Sequence, residues 1–334
     1  MARVGVLGAG TWGTALARML ALNGHETALW SPRPRDIDAL AKTHYHKHLE
    51  GVRIPETILL TKDAQEACAE KDLIVFALPS VAIRQTAQTV KPYLRDGQIL
   101  VSVAKGMEAD TLLTMTGIIN DVLEEGRQER FHYAALSGPT HAEEVARDLP
   151  SAIVAACRED RVARTVQDVF MNSSMRVYRS SDLLGVELCG ALKNVIAIAA
   201  GACVGMGFGD NTRAALVTRG MAEIKRLGLK MGCRPETFDG LAGIGDMIVT
   251  STSLHSRNMR AGMLIGQGME PKKAVESIGM VVEGINALPA ALELADRYQV
   301  ELPITFAVDA VVNGGQDPRR VVLDLMMRDK KAEF

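Results

Sequence analysis

The sequence has few aromatic residues and no excess of either charge. Phe, Trp and Tyr make up 4% of its 334 residues, and 38 basic side chains stand against 40 acidic ones, for a net charge of −2. Proteins that bind nucleic acids or anionic membranes usually carry a basic excess, and single-stranded nucleic acids also need aromatic stacking platforms. We therefore expect no nucleic acid partner and no anionic membrane as the main partner.

Paired cysteines and long apolar runs are also missing. The five cysteines are an odd number without a C-x-x-C pair, which argues against a disulfide framework or a zinc knuckle and suits a reducing compartment. The longest apolar run, Val195–Val204, is shorter than the roughly 20 residues that span a bilayer. The segment Gly5–Gly13 is too rich in glycine for a signal-peptide core. These features predict a soluble, cytoplasmic protein without membrane insertion.

A glycine pattern directly after a short apolar strand signal is the most informative feature that the sequence does contain. Val4–Leu7 is followed by Gly8-x-Gly10-x-x-Gly13, and a helical pattern begins there. In this context the first glycine permits a tight turn, the second lets the backbone approach a pyrophosphate, and the third lets the helix lie close to the strand. The N–H groups at the helix start then face a diphosphate. We predict a dinucleotide-binding turn; the alternative is a glycine-rich turn without a ligand.

Strand and helix signals alternate in the first half of the chain. Strands are predicted at Val4–Leu7, Glu26–Trp30, Leu73–Leu78, Ile99–Val103, Tyr133–Leu136, Ala152–Ala156 and Met175–Tyr178. Strands separated by helix-length segments indicate βαβ units and a mostly parallel, doubly wound sheet.

After about Asp182 the strand signals fade and helical spacing dominates, as in the apolar series Val217, Met221, Ile224 and Leu227. We therefore predict an α/β protein with an N-terminal Rossmann-type domain at residues 1–185 and an all-α domain at residues 186–334. We expect the joint near residues 180–192, where a continuous helix can connect the two domains. The ligand is expected between the domains, at the carboxyl ends of the strands.

The residues after the second strand bear on the choice of dinucleotide. Sites for NAD usually have Asp or Glu about 20 residues past the fingerprint, but here Trp30 and Ser31 take that place and Arg33 and Arg35 follow. We expect no carboxylate for a ribose 2′-hydroxyl, whereas a guanidinium can pair with a 2′-phosphate. NADP(H) is therefore favoured, with NAD(H) possible; the alternative is that both arginines are solvated loop charges.

One lysine, Lys193, interrupts an otherwise apolar segment. Between residues 186 and 200 only Glu187 and Asn194 are also strongly polar, and a helix that is apolar on nearly all sides is buried. Lysine is rarely buried without a partner or a task, and desolvation makes an amine a usable proton donor or acceptor. The alternative, a lysine whose head group reaches water along the helix, stays open.

Further motifs place polar groups where α/β folds bind ligands. Lys105 follows one strand signal, and the segment 137–142 follows another and opens a helix, where its N–H and hydroxyl groups can hold an oxyanion or the nicotinamide side. Asp246 ends a glycine turn, and the trio 256–258 (Ser-Arg-Asn) suits a phosphate monoester. Each motif alone also suits a plain structural turn. The histidines of the segment 44–48 read as a loop without a nearby cysteine, so we predict no metal site.

Taken together, these motifs resemble the bacterial NAD(P)-dependent glycerol-3-phosphate dehydrogenases. The match runs in order through residues 8–13, 105–106, 137–140, 191–195, 209–216, 241–246, 256–258 and 281–284. The resemblance implies reduction of dihydroxyacetone phosphate to sn-glycerol 3-phosphate, the head-group precursor of phospholipids. It also implies a homodimer and a helical second domain like that of 6-phosphogluconate dehydrogenase.

The same resemblance implies roles for individual residues, with Lys193 as the catalytic acid and base. The substrate-binding residues would be Lys105, Gly138, Thr140, Lys193, Asp246, Ser256, Arg257 and Asn258. The cofactor-binding residues would be Gly8, Gly10, Thr11, Trp12, Gly13, Arg33, His48, Lys105, Ala142, Arg257, Val281 and Glu283.

The sequence departs from the family pattern at three positions. Glu50 replaces a frequent proline, His141 replaces an aromatic residue, and Val204 stands where an acidic residue is common. These departures concern loop geometry and the dimer rather than the reaction. The competing interpretations are another dehydrogenase of the same two-domain plan, acting on 6-phosphogluconate or a 3-hydroxyacid, and a sensor that binds NADP(H) without catalysis.

Overall fold

An eight-stranded sheet organises the first part of the chain in the computed structural model, which describes residues 1–124 and 130–333. Its strands are β1 (Arg3–Leu7), β2 (Glu26–Trp30), β3 (Leu59–Thr61), β4 (Leu73–Phe76), β5 (Ile99–Ser102), β6 (His132–Ser137), β7 (Ser151–Ala156) and β8 (Met175–Ser180). They lie in the order β3-β2-β1-β4-β5-β6-β7-β8. The order reverses between β1 and β4, so the doubly wound, Rossmann-type topology predicted from the sequence is confirmed.

Helices cover both faces of this sheet. They are α1 (Thr11–Leu22), α2 (Pro34–Thr43), α3 (Ala64–Cys68), α4 (Ile83–Val90), α5 (Met115–Glu124), α6 (Ala142–Val145) and α7 (Asp160–Phe170). The side chains of β4 alternate between two cores: Leu73 and Val75 pack with α1 and α7, while Ile74 and Phe76 pack with α4 and α5. A strand buried on both faces reads as the unbroken apolar run seen in the sequence.

The remaining part of the chain is helical. Its elements are α8 (Leu183–Gly205), α9 (Asp210–Lys230), α10 (Pro235–Phe238), α11 (Asp246–Thr252), α12 (Arg257–Gly266), α13 (Pro271–Ile278), α14 (Glu283–Arg297), α15 (Pro303–Val312) and α16 (Pro318–Met326). The chain divides into two compact units inside α8, the first being Met1–Glu187 and the second beginning at Leu188. The predicted boundary, residues 185 and 186, lies two residues before this point.

The part of α8 that lies in the second unit is closely packed. Its residues Val195 and Ile198 share a core with Ala261 and Ile265 of α12. The two helix backbones approach so closely that a Cβ at Gly201 would collide with the Met259 carbonyl. The length and composition of α8 would allow it to cross a membrane, although its uninterrupted apolar run is too short to indicate this. In the structure, 94% of its most apolar 18-residue stretch is buried inside the protein. It is therefore a core helix.

Two details of the sheet differ from the sequence-based expectation. The strand β3 was not predicted, because it has only three residues and its Leu59 is exposed. The strands β6 and β7 pair antiparallel within an otherwise parallel sheet. The predicted face of α9 is confirmed, since Val217, Met221, Ile224 and Leu227 are all buried.

Candidate active site

The three glycines of the fingerprint have distinct structural reasons. Gly8 has a φ of +117°, and a Cβ there would also collide with the Ala77 carbonyl oxygen. A Cβ at Gly13 would collide with the carbonyl oxygen of Gly8, so α1 can begin this close to β1 only with glycine. At Gly10, by contrast, a Cβ would meet no atom within 4 Å. The fold therefore requires two of the glycines, while the third leaves open space over the turn.

The open space lies at the N-terminus of α1. Gly10 is the N-cap residue, and neither a capping side chain nor an acidic residue is present in the first turn of this helix. The first N–H groups of a helix carry partial positive charge and need an outside acceptor. These residues fit the diphosphate of a dinucleotide, because a Cβ at Gly10 would fill the space that the diphosphate needs.

Other residues expected to bind the cofactor lie beside this turn. Trp12 and Ala142 pack against a small core formed by Ala15, Leu49, Val52 and Ala146. This core ties the loop between α2 and β3 to the start of α1 and to α6. His48 and Glu50 of that loop are exposed.

The histidines of the same loop lie at the end of α2 and just beyond it. His44 ends α2 with a φ of 55°, and the rings of His46 and His48 lie 5.7 Å apart. Burial, followed by the neighbouring His48, lowers the pKa of His46 from 6.5 to about 4. Within residues 1–124 and 130–333 no group of three or more His, Cys, Asp or Glu side chains is arranged to hold a metal ion.

Arg33 stands at the end of β2, as the sequence indicates, but it is not alone there. Its Nε lies 2.9 Å from Oδ2 of Asp36, and that oxygen also accepts a hydrogen bond from Oγ of Ser31 at 3.3 Å. A carboxylate therefore lies close to the end of β2, although the sequence directly after the strand has none. Arg33 is the N-cap of α2, and the first turn of the helix brings Asp36 back toward the strand end.

Lys105 and Gly138 meet at the carboxyl ends of the adjacent strands β5 and β6. The Lys105 ammonium donates a hydrogen bond to the Gly138 carbonyl at 3.1 Å, and the Thr140 hydroxyl donates to the same oxygen at 3.3 Å. Ligands in open α/β sheets bind outside the carboxyl ends of the strands. The first unit thus gathers three of the expected substrate-binding residues in one place.

Lys193 lies inside the second unit and does not reach water, since its side chain is 4% exposed. Its Nζ lies 3.2 Å from Oδ1 of Asp246, whose side chain is 2% exposed, and it donates a hydrogen bond to the Thr250 hydroxyl. Thr250 in turn donates to Asp246 at 3.3 Å. A buried ammonium needs such an anionic and hydrogen-bonding environment. The alternative of a lysine that reaches solvent is excluded.

Local sequence explains how Asp246 and Thr250 reach the lysine. Asp246 is the first residue of α11, and Thr250 is four residues further on, so both lie on one helix face. The turn before α11 passes so close to Phe238 that a Cβ at Gly243 would collide with its backbone. Thr250 was not identified from the sequence; its spacing from Asp246 was the available signal.

Asn194, the neighbour of Lys193, organises a second cluster. The Asn258 amide donates to Oδ1 of Asn194 at 2.9 Å, and Oδ1 of Asn258 accepts from the Gly284 N–H at 2.9 Å. Asn258 therefore joins α8, α12 and the first turn of α14. Glu283 at the start of α14 is buried, and Val281, two residues before it, is partly exposed.

The neighbours of Asn258 at the start of α12 have different surroundings. The Ser256 side chain caps α12 by accepting from the Met259 N–H. Arg257 is the first residue of that helix and is half-buried. A guanidinium at a helix N-terminus is a favourable place for a phosphate group.

The other strongly polar residue of α8, Glu187, belongs to the first unit and serves the fold. Its carboxylate accepts hydrogen bonds from the Thr114 hydroxyl and from both the N–H and the hydroxyl of Thr116. Burial raises the pKa of Glu187. The departure at Val204 lies in the last turn of α8, whose final residue Gly205 packs against the Met263 carbonyl.

Comparison with known proteins agrees with these features. The family model for the N-terminal region of NAD-dependent glycerol-3-phosphate dehydrogenase matches residues 3–163, and the model for its C-terminal region matches residues 182–323. The chain belongs to this family. It is 62% identical over 335 residues to an NAD(P)+ glycerol-3-phosphate dehydrogenase of Lactobacillus delbrueckii subsp. bulgaricus, covering 100% of this chain and 99% of the relative.

Two further relatives extend the family comparison. The NAD(P)+ glycerol-3-phosphate dehydrogenase of Agathobacter rectalis is 48% identical, and the alignment covers 100% of this chain and 98% of that protein. The crystal structure of glycerol-3-phosphate dehydrogenase from Coxiella burnetii superposes with a TM-score of 0.92 at 33% identity, covering 98% of this chain and 99% of that one. The family assignment makes this chain an oxidoreductase that uses NAD(P)(H).

Proposed function

We propose that this protein reduces dihydroxyacetone phosphate to sn-glycerol 3-phosphate, with Lys193 as the proton donor. The observation that carries the proposal is the buried contact of Lys193 with Asp246 and Thr250. A sequestered ammonium held by a carboxylate and a hydroxyl suits proton transfer to a carbonyl oxygen. The family membership and the nucleotide-binding turn support the same reaction.

The nucleotide is held by the first unit. The N–H groups at the start of α1, beside the open space at Gly10, would bind its diphosphate. Arg33 would pair with the 2′-phosphate of NADPH. A bound reduced nicotinamide supplies the hydride that reaches the carbonyl carbon. We propose a preference for NADPH with NADH also accepted, because Arg33 stands at the end of β2.

Lys193 gives its proton to the carbonyl oxygen as negative charge develops there, and takes a proton back in the reverse direction. Asp246 stabilises the ammonium before the transfer, and Thr250 fixes its direction by accepting one of its hydrogens. Burial excludes water from the amine, which strengthens each of these electrostatic interactions.

Arg257 binds the phosphate of the substrate at the start of α12. A guanidinium grips a phosphate with two parallel hydrogen bonds, and binding a remote, non-reacting group orients the carbonyl for reaction. Asn258 supports this site by holding the α12 and α14 starts together, since its amide already bonds to Asn194 and Gly284. In the first unit, Lys105, Gly138 and Thr140 form a polar cluster at the carboxyl ends of β5 and β6.

Oxidation of NADPH by dihydroxyacetone phosphate, compared with reduction of NADP+ by 6-phosphogluconate or by a 3-hydroxyacid, tests the proposal. We expect fast turnover with dihydroxyacetone phosphate alone. Turnover with one of the other substrates instead would assign the chain to a different dehydrogenase. Binding of NADPH without any turnover would favour a sensor.

We also propose that the protein acts as a homodimer in the cytoplasm. The resemblance to the family supports the dimer, and the absence of a cysteine pair in the sequence supports a reducing compartment. Light scattering after size-exclusion chromatography gives the mass in solution directly; a monomer at assay concentrations would contradict the dimer.

A further inference from the structure

The cluster of Ser31, Arg33 and Asp36 holds opposite charges at the place where dinucleotides are discriminated. Besides the pair between Arg33 and Asp36 at 2.9 Å, the Arg33 N–H donates to Oγ of Ser31 at 3.1 Å. The Arg33 side chain is 63% exposed and that of Asp36 is 24% exposed. Both are thus accessible to a ligand at the end of β2.

Each member of the pair suits a different adenosine ribose. A carboxylate accepts a hydrogen bond from a 2′-hydroxyl and repels a 2′-phosphate. A guanidinium binds a 2′-phosphate strongly but gains little from a neutral hydroxyl. We propose that Asp36 is a specificity-determining residue that allows the site to accept NAD(H) by opposing the preference of Arg33 for NADP(H). This inference rests on dinucleotide binding in the proposed function, not on the identity of the substrate.

The surroundings of Asp36 agree with an active role for its charge. The Asp36 carboxylate acts on His46 of the neighbouring loop, where it opposes the lowering of the His46 pKa by burial. The next arginine, Arg35, is exposed. Because Asp36 forms an ion pair with Arg33, a 2′-phosphate must compete with this carboxylate for the guanidinium.

The chain offers a matched control on the same helix. Asp38 lies two residues after Asp36 and pairs with Lys62 at 2.5 Å, with both side chains about half exposed. The substitution Asp38→Asn changes the net charge as Asp36→Asn does. It leaves the Arg33 site intact, so it measures the general effect of removing one negative charge from α2.

Dissociation constants of NADH and NADPH, measured by nicotinamide fluorescence without substrate, test the proposal. We expect Asp36→Asn to tighten NADPH binding about fivefold and to weaken NADH binding about fivefold, since a partly exposed charge has effects of this size. The ratio of the two dissociation constants would then change by about 25-fold. At high salt the gain in NADPH affinity should be smaller, because the salt already screens the repulsion between Asp36 and the 2′-phosphate in the wild type. Asp38→Asn should leave the ratio unchanged.

Several results would overturn the role of Asp36. They are an equal shift of both nucleotides in Asp36→Asn, an unchanged ratio, or the same ratio change in Asp38→Asn. If Asp36→Asn unfolds, Asp36→Ser removes the charge with a residue suited to a helix start, and the same criteria apply to it. If neither nucleotide binds the wild-type chain, the dinucleotide assignment fails and the inference fails with it. If the wild-type chain binds both nucleotides but does not reduce dihydroxyacetone phosphate, only the proposed substrate is contradicted.

Discussion

Replacement of Lys193 by methionine separates the chemistry of this amine from its part in the fold. Methionine fills a similar volume but cannot donate a proton to the carbonyl oxygen. General acid catalysis contributes about 10²- to 10⁴-fold, so we expect kcat to fall by about 10³-fold, with the Kd of NADPH changed less than about twofold. The small effect on NADPH follows because the fingerprint turn belongs to the other unit.

The same substitution also affects stability, which must be controlled. The Asp246 carboxylate is buried and loses its cationic partner, and breaking a buried pair in this way costs about 3–5 kcal/mol. For a unit of this size that corresponds to a Tm lowered by about 10 °C. Adding Asp246→Asn to Lys193→Met removes the orphaned charge, so the double variant should regain most of the lost stability while staying inactive.

The assays are steady-state oxidation of NADPH, fluorescence titration of NADPH and thermal unfolding of each variant. Lys225→Met is a matched control, because Lys225 pairs with Asp239 at 2.7 Å on the surface of the same unit and has no place in the reaction. A Lys193→Met variant with wild-type kcat would refute the reasoning. So would a double variant that regains turnover together with stability, since the lysine would then serve the fold alone.

Three further predictions follow from particular contacts. Arg257→Ala should raise the KM for dihydroxyacetone phosphate about 100-fold and affect glycerone without phosphate much less; an equal effect on both in steady-state assays would remove Arg257 from the phosphate site. Gly10→Ala should leave the unfolding free energy within about 0.5 kcal/mol but weaken NADPH binding about tenfold, whereas Gly13→Ala should lower the Tm through its collision with Gly8. Burial raises the pKa of Glu223 from 4.5 to about 7, so the folded state holds a proton that the unfolded chain has released. Glu223 therefore contributes fully to the free energy of unfolding below its unfolded-state pKa of 4.5. This contribution, about 3 kcal/mol, is lost as the pH rises to the folded-state pKa of about 7. In denaturant titrations between these two pH values, the free energy of unfolding should decrease less with pH in Glu223→Gln than in the wild type. The same pH dependence in both would contradict the raised pKa of Glu223.

The fold was predictable from the sequence where burial imposes a pattern. The strand β4 is buried on both faces and appears as an unbroken apolar run, and the face of α9 appears as a repeat of three and four residues. The edge strand β3 gave no such signal because one side of it is exposed. The antiparallel pairing of β6 with β7 was also not predictable. The segment between them is close to the shortest that allows a parallel crossover, so its length decides nothing.

Residue types alone identified two members of the candidate site, but they did not show what each side chain contacts. A lysine in an apolar helix and a carboxylate after a glycine turn identified Lys193 and Asp246, whose contact the structure provides. Thr250 and Asp36 were missed because each meets its partner only when a turn of helix forms, from Asp246 to Thr250 in α11 and from Arg33 to Asp36 in α2. Both belong to spacings of three or four residues, which a search along predicted helix starts would have included.

Asn258 shows why residue type and position in a motif do not settle a role. An amide next to Arg257 suggests a direct ligand for phosphate, yet its oxygen accepts from the Gly284 N–H and its nitrogen donates to Asn194. These three residues are distant in the sequence, so nothing local indicates that the amide is already engaged. Its proposed contribution is therefore to hold Arg257 and the start of α14 in register. Replacing Asn258 by a residue of similar size without the amide should accordingly disturb Arg257 as well as the helix contact.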